Sequence, residues 1–160
     1  MNLKVLIVIP KKEVRDFVID ILESHCNGQD IHLEIDKEES LQDALDRCRN
    51  GALYRLIVSH LHIYERRKAP LVEARKFGLT LFQTLAREGI NIPGILLTPD
   101  VDDEQLSLAI SFPNFSPVPM EGRWEKHIEI IAARSFACPS ESESQRTAMV
   151  NGSSQKKVQV

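Results

Sequence analysis

Long apolar runs are missing from this 160-residue chain. A helix that spans a bilayer needs about 18 consecutive apolar residues. The strongest run, Val5-Leu6-Ile7-Val8-Ile9, stops at Pro10. Membrane insertion by a helix is therefore not expected. The residues after Met1 lead straight into that run. They show no apolar stretch with a small-residue cleavage site, so a cytoplasmic location is expected. Cysteine is scarce: Cys26, Cys48 and Cys138 are odd in number, far apart and in no CxxC pair. They read as free thiols in a reducing compartment. The seven glycines form neither a GxGxxG nor a GxxxxGK[ST] phosphate loop, and no GxSxG elbow occurs. No cofactor is expected. Charge of one sign is not in excess either. A net charge of −3 gives no global argument for nucleic acid or for an anionic membrane.

The apolar residues that are present follow two periods. Residues 5–9 form a continuous β-branched run, as in a strand buried on both faces of a parallel sheet. Val14, Phe17, Val18, Ile21 and Leu22 then recur at helical spacing, and Asn27-Gly28 ends that helix. Residues 31–35 alternate strictly, which predicts a strand at a wetter sheet edge. Ser40 resembles an N-cap for a helix carrying Leu41, Ala44, Leu45 and Cys48, closed by Asn50-Gly51. Residues 56–58 and 95–97 are the third and fourth strands. Leu79, Phe82, Leu85 and Ala86 mark the helix between them. A short fourth helix is predicted over residues 103–111 and a fifth strand over residues 115–119. Trp124, Ile128, Ile131 and Ala132 lie on one face of the fifth, last helix.

Strands that alternate with helices imply a parallel sheet covered on both sides. The wet second strand belongs at an edge and the apolar ones at the centre. The predicted fold is therefore α/β and flavodoxin-like: a doubly wound five-stranded parallel sheet of order 2-1-3-4-5, with helices on both faces. The domain is expected over residues 1–138. Residues 139–160 are rich in Ser, Gln and Lys and read as a disordered tail or interdomain linker.

Over residues 3–137 this pattern resembles the receiver domain of two-component response regulators. The resemblance implies an acidic, Mg²⁺-binding pair after the first strand and a phospho-accepting Asp at the end of the third. It implies a Thr or Ser ending the fourth strand, an aromatic switch residue near the fifth, and a Lys-Pro after that. Carried over position by position, the acidic pair falls on Ile9 and Pro10. The phospho-acceptor falls on His60 and the lysine on Val118. Thr98, Phe115 and Pro119 are retained. Gly78 resembles the glycine that opens the third helix, and its distance from His60 implies an insertion over residues 62–77.

Acyl-phosphate chemistry needs a carboxylate nucleophile, hard oxygen ligands for Mg²⁺ and a cation to balance the phosphoryl charge. Ile9, Pro10, His60 and Val118 supply none of these. The resemblance therefore implies a degenerate, non-catalytic pseudo-receiver that is not phosphorylated at the usual position. Its partner would be a signalling protein or a covalently linked effector domain. In this family the face made by the fourth helix, fifth strand and fifth helix implies a homodimer surface, with Trp124 near it.

Two features carry other readings. His60 and His62 are two apart at a strand end, the spacing of a metal pair, but no third ligand is placed by sequence. The plainer reading is two polar groups at the sheet's edge. Lys11, Lys12, Arg66, Arg67 and Lys68 sit in connections that emerge at the carboxyl end of the sheet. They are candidates for binding an anion or an acidic partner. An anion or small-molecule sensor is thus the alternative function. A flavodoxin-like enzyme is the second alternative, and it lacks any nucleophile–base pair.

Overall fold

The computed structural model describes residues 1–67, 76–99 and 114–137. Five strands form one sheet: β1 (Asn2–Val8), β2 (His32–Glu38), β3 (Leu56–His60), β4 (Gly94–Thr98) and β5 (Phe115–Pro119). Four helices are described: α1 (Lys12–Cys26), α2 (Leu41–Arg49), α3 (Phe77–Arg87) and α4 (Trp124–Ala137). Every strand pair is parallel and the order is β2-β1-β3-β4-β5. This is the predicted flavodoxin-like sheet. The predicted helix over 103–111, the tail over 139–160, Cys138 and Lys68 lie outside the described residues.

The uniform apolarity of β1 follows from burial on both faces. Leu3, Val5, Ile7 and Ile9 pack toward α1 and α4, while Leu6 and Val8 pack toward α2 and α3. Residues two apart in a strand share a face, so a central strand needs apolar side chains at every position. On one face of the sheet α1 contributes Val18, Ile21 and Leu22, and α4 contributes Ile128, Ala132 and Phe136. On the other, α2 gives Ala44, Leu45 and Cys48, and α3 gives Leu79, Phe82 and Leu85. Ser40 caps α2 as expected: its Oγ accepts the Asp43 N–H at 3.2 Å.

Two glycines are required by close packing. A Cβ on Gly94 would stand 2.2 Å from a ring carbon of Phe82. Without it, Phe82 stacks on Phe115 at 5.0 Å between ring centroids. A Cβ on Gly78 would stand 2.1 Å from the carbonyl oxygen of His60. The Gly78 N–H instead donates to the Leu61 carbonyl at 3.0 Å. The start of α3 is thereby pressed against the end of β3.

Several boundaries differ from the sequence reading. β1 starts at Asn2 rather than Val5, and β2 continues through Asp36, Lys37 and Glu38. Those three pair with Leu6, Ile7 and Val8, because the backbone ladder does not depend on side-chain polarity. Lys12 lies within α1 rather than in a connection. Phe17 was expected on the buried face of α1, yet it is 44% exposed. Its ring leans on Trp124 of α4 at 5.1 Å, outside the core.

Candidate functional site at the carboxyl end of the sheet

The carboxyl ends of β1, β3, β4 and β5 meet at one edge. Register fixes their order: Val8 lies beside Ser59, His60 beside Leu97, and Thr98 beside Pro119. Ile9, one residue past β1, is fully buried, and Val118 is 2% exposed. Both belong to the core against α1 and α4. Pro10 is half-buried. Thr98 is buried at the end of β4, and the Met120 N–H donates to its carbonyl at 2.8 Å. The Val118–Pro119 peptide bond is trans.

His60 is the polar centre of this edge. Its Nδ1 accepts the backbone N–H of His62 at 3.0 Å, which leaves Nε2 to carry the proton of the neutral ring. The two imidazole rings stand 5.7 Å apart. Burial lowers the His60 pKa below the ordinary histidine value, and the charges of His62 and Lys11 lower it further. His60 is therefore neutral at pH 7. Among the described residues no group of three His, Cys, Asp or Glu side chains is placed to hold a metal ion.

The chain after β3 does not stand free. The Tyr64 N–H donates to the Glu39 carbonyl at 3.1 Å. The Leu41 and Gln42 N–H groups donate to the Tyr64 and Glu65 carbonyls at 2.8 and 3.1 Å. The first N–H groups of a helix lack partners within it. Here this segment supplies them, so the amino end of α2 has little capacity left for an anion.

The basic residues divide into two groups. Arg67 pairs with Asp43 at 3.2 Å and Arg15 with Glu39 at 3.3 Å. Arg15 also reaches the Ile9 carbonyl at 3.4 Å. Lys11, Lys12 and Arg66 are exposed. Of these, Lys11 is near enough to His60 to act on its charge. Lys68 lies outside the described residues. Lys11 thus stands within electrostatic reach of His60, and Arg67 turns toward the start of α2.

Sequence reading missed a second polar cluster, away from this edge. Arg47 of α2 pairs with Asp36 at 3.2 Å and with Glu38, both on β2. The Tyr54 hydroxyl donates to Asp36 at 2.6 Å. Burial first, then Asp36, pushes the Tyr54 phenol above its ordinary pKa. The Glu38 carboxylate does the same for the Arg47 guanidinium. The cluster ties the wet edge strand to its helix. Alternating charge in β2 was the only signal for it. Cys26 and Cys48 are buried free thiols, and burial pushes Cys48 up to about 11.

No protein-family model matches the chain, and no curated protein matches it by sequence. Solved structures match it through their fold. A receiver domain of a Francisella response regulator is 20% identical with a TM-score of 0.57, covering 84% of this chain and 99% of that one. A CheY-like response regulator receiver domain protein from Methanospirillum hungatei is 15% identical with a TM-score of 0.61, covering 85% and 95%. A chemotaxis response regulator of Vibrio cholerae is 14% identical with a TM-score of 0.60, covering 84% and 99%. The chain has the fold of response-regulator receiver domains. Among the described residues no helix is long and apolar enough to cross a membrane.

Proposed function

We propose that this chain is a signalling module of receiver architecture that works by protein contact and carries no acyl phosphate at the usual position. The supporting observation is the burial of Ile9 and Val118 in the core, at the positions matched to a metal-binding acid and the charge-balancing lysine. A buried aliphatic side chain can neither ligate Mg²⁺ nor balance a phosphoryl group. His60, at the matched acceptor position, is a neutral imidazole held by the His62 N–H. The partner is a signalling protein or an effector domain joined through residues 139–160. Phe115, at the matched switch position, packs under Phe82 as part of the core and on this reading does not swing.

Intact-mass measurement after incubation with acetyl phosphate and Mg²⁺ tests the reading. Unchanged mass is expected. A Mg²⁺-dependent, hydroxylamine-labile gain of one phosphoryl group would sink it. The anion-sensor reading keeps one favourable feature, an exposed Lys11 within electrostatic reach of His60. It is weakened by the Arg15–Glu39 and Arg67–Asp43 pairs, which reduce the positive field at that edge.

A further inference from the structure

The chain leaving β3 is held down on both sides of His62. Before it, the Leu61 N–H donates to the Leu97 carbonyl at 2.8 Å. There α3 lies so close that a Cβ on Gly78 would stand 2.1 Å from the His60 carbonyl oxygen. After it, Ile63 is buried in the core with Leu45 of α2 and Leu79 of α3. The Tyr64 and Glu65 carbonyls then accept the Leu41 and Gln42 N–H groups at 2.8 and 3.1 Å, so this segment covers the amino end of α2. All of these backbone bonds end on carbonyl oxygens, which do not titrate. The bond at His62 differs. Its backbone N–H donates to a side chain, Nδ1 of His60, at 3.0 Å. That acceptor can take up a proton in the mildly acidic range.

Nδ1 accepts a hydrogen bond only in the neutral ring. Its lone pair is also where a proton must go, because Nε2 already carries a hydrogen. The imidazolium is a donor at both nitrogens, so the His62 N–H would then face another N–H. The backbone of His60 has no room to retreat, since Gly78 lies against its carbonyl and Leu97 holds the next residue. Relief must come from His62 and the residues after it. Nothing nearby favours the charged ring. Among the described residues the charges that act on His60 are those of His62 and Lys11, both of which oppose a further positive charge. Beside it β4 presents Leu97 and Thr98 and α3 presents Gly78, none of which titrates in this range. Burial of the ring acts in the same direction.

We infer that His60 is a proton-operated latch: protonation at Nδ1 releases the segment from His62 to Glu65 and uncovers the amino end of α2. The open form frees the Leu41 and Gln42 N–H groups, which are bonded in the closed form. The burial of Ile63 opposes release, so the latch shifts a local opening equilibrium and does not unfold the domain. The inference does not depend on which partner the carboxyl edge meets. It makes any contact through this segment or the start of α2 sensitive to pH.

Amide hydrogen exchange of the full chain, read by NMR as protection factors between about pH 7.5 and about pH 5.5, tests this. Opening that returns His60 to its ordinary value of about 6.5 is favoured by up to about tenfold at the lower pH. Protection of the His62, Tyr64, Leu41 and Gln42 amides is expected to fall by up to that factor. It is also expected to stay below that of the β1 amides, which are paired on both sides and report opening of the whole domain. His60→Asn puts an amide oxygen near the place of Nδ1 and does not titrate; protection in this variant is expected to be independent of pH. His62→Asn removes the other imidazole and is expected to keep the dependence. Wild-type protection that does not fall would overturn the inference. So would a dependence that survives His60→Asn or vanishes in His62→Asn. Protection equal to that of β1 at every pH would also overturn it, because the segment would then open only with the whole domain.

Discussion

The ends of β1 and β5 differ in kind from the ends of β3 and β4. The outer pair puts Ile9 and Val118 into the core. The inner pair keeps polar groups, His60 and Thr98. The outer pair is part of the packing between the sheet and α1 and α4. On the proposed reading, a core side chain stands at each of these positions where a charged group would be needed. At the inner pair the β3 end is held by hydrogen bonds, from the Gly78 N–H to the Leu61 carbonyl and from the His62 N–H to His60 Nδ1.

Placing a charge on the outer pair should give the largest effect. Ile9→Asp puts an unpaired carboxylate into an apolar site and is expected to destabilise the domain by about 3–5 kcal/mol, read by urea unfolding. A well-tolerated Ile9→Asp would mean that the outer pair is not core. Gly78→Ala comes next. Its Cβ would meet backbone at the end of β3, where nothing flexible can give way, and a loss of about 1–3 kcal/mol is expected. Ser40→Ala, at the start of α2, removes a cap and should cost about 1 kcal/mol in the same assay.

The inner pair makes a pH prediction of smaller size. His60 has a lowered pKa when folded, so the unfolded chain binds its proton more readily. The stability that depends on neutral His60 is present above the unfolded value of about 6.5 and is lost as pH falls below it. His60→Gln should flatten that part of the stability profile between neutral and mildly acidic pH. An unchanged slope would show that His60 does not differ between the two states. Arg67→Ala is expected to change stability least, by less than about 1 kcal/mol, because its pair with Asp43 is exposed.

Much of the fold could be read from the sequence because burial leaves a periodic trace. Residues 5–9 announced a central strand, the alternation of residues 31–35 announced the edge, and Ser40 announced a helix start. Residues 115–119 form β5 over the span expected. What could not be read are contacts between distant residues. Arg67 finds Asp43, Arg15 finds Glu39 and Arg47 finds Asp36, and no spacing rule brings such partners together. Phe17 misled for a related reason. Helical spacing assigned it to the core, but the neighbour that covers part of it is Trp124, more than a hundred residues away. Of the candidate site, the identities at Ile9, His60, Thr98 and Val118 were legible. The tethering of the chain after β3 to the start of α2 was not, because backbone hydrogen bonds leave no mark on residue type.

The central claim is that this edge cannot form an acyl phosphate. Beryllofluoride is a stable mimic of a carboxylate-bound phosphoryl group and needs both the carboxylate and Mg²⁺. Fluorine NMR of the chain with beryllofluoride and Mg²⁺ is predicted to show only free species. A protein-bound fluorine resonance that appears with Mg²⁺ and disappears with a chelator would contradict it.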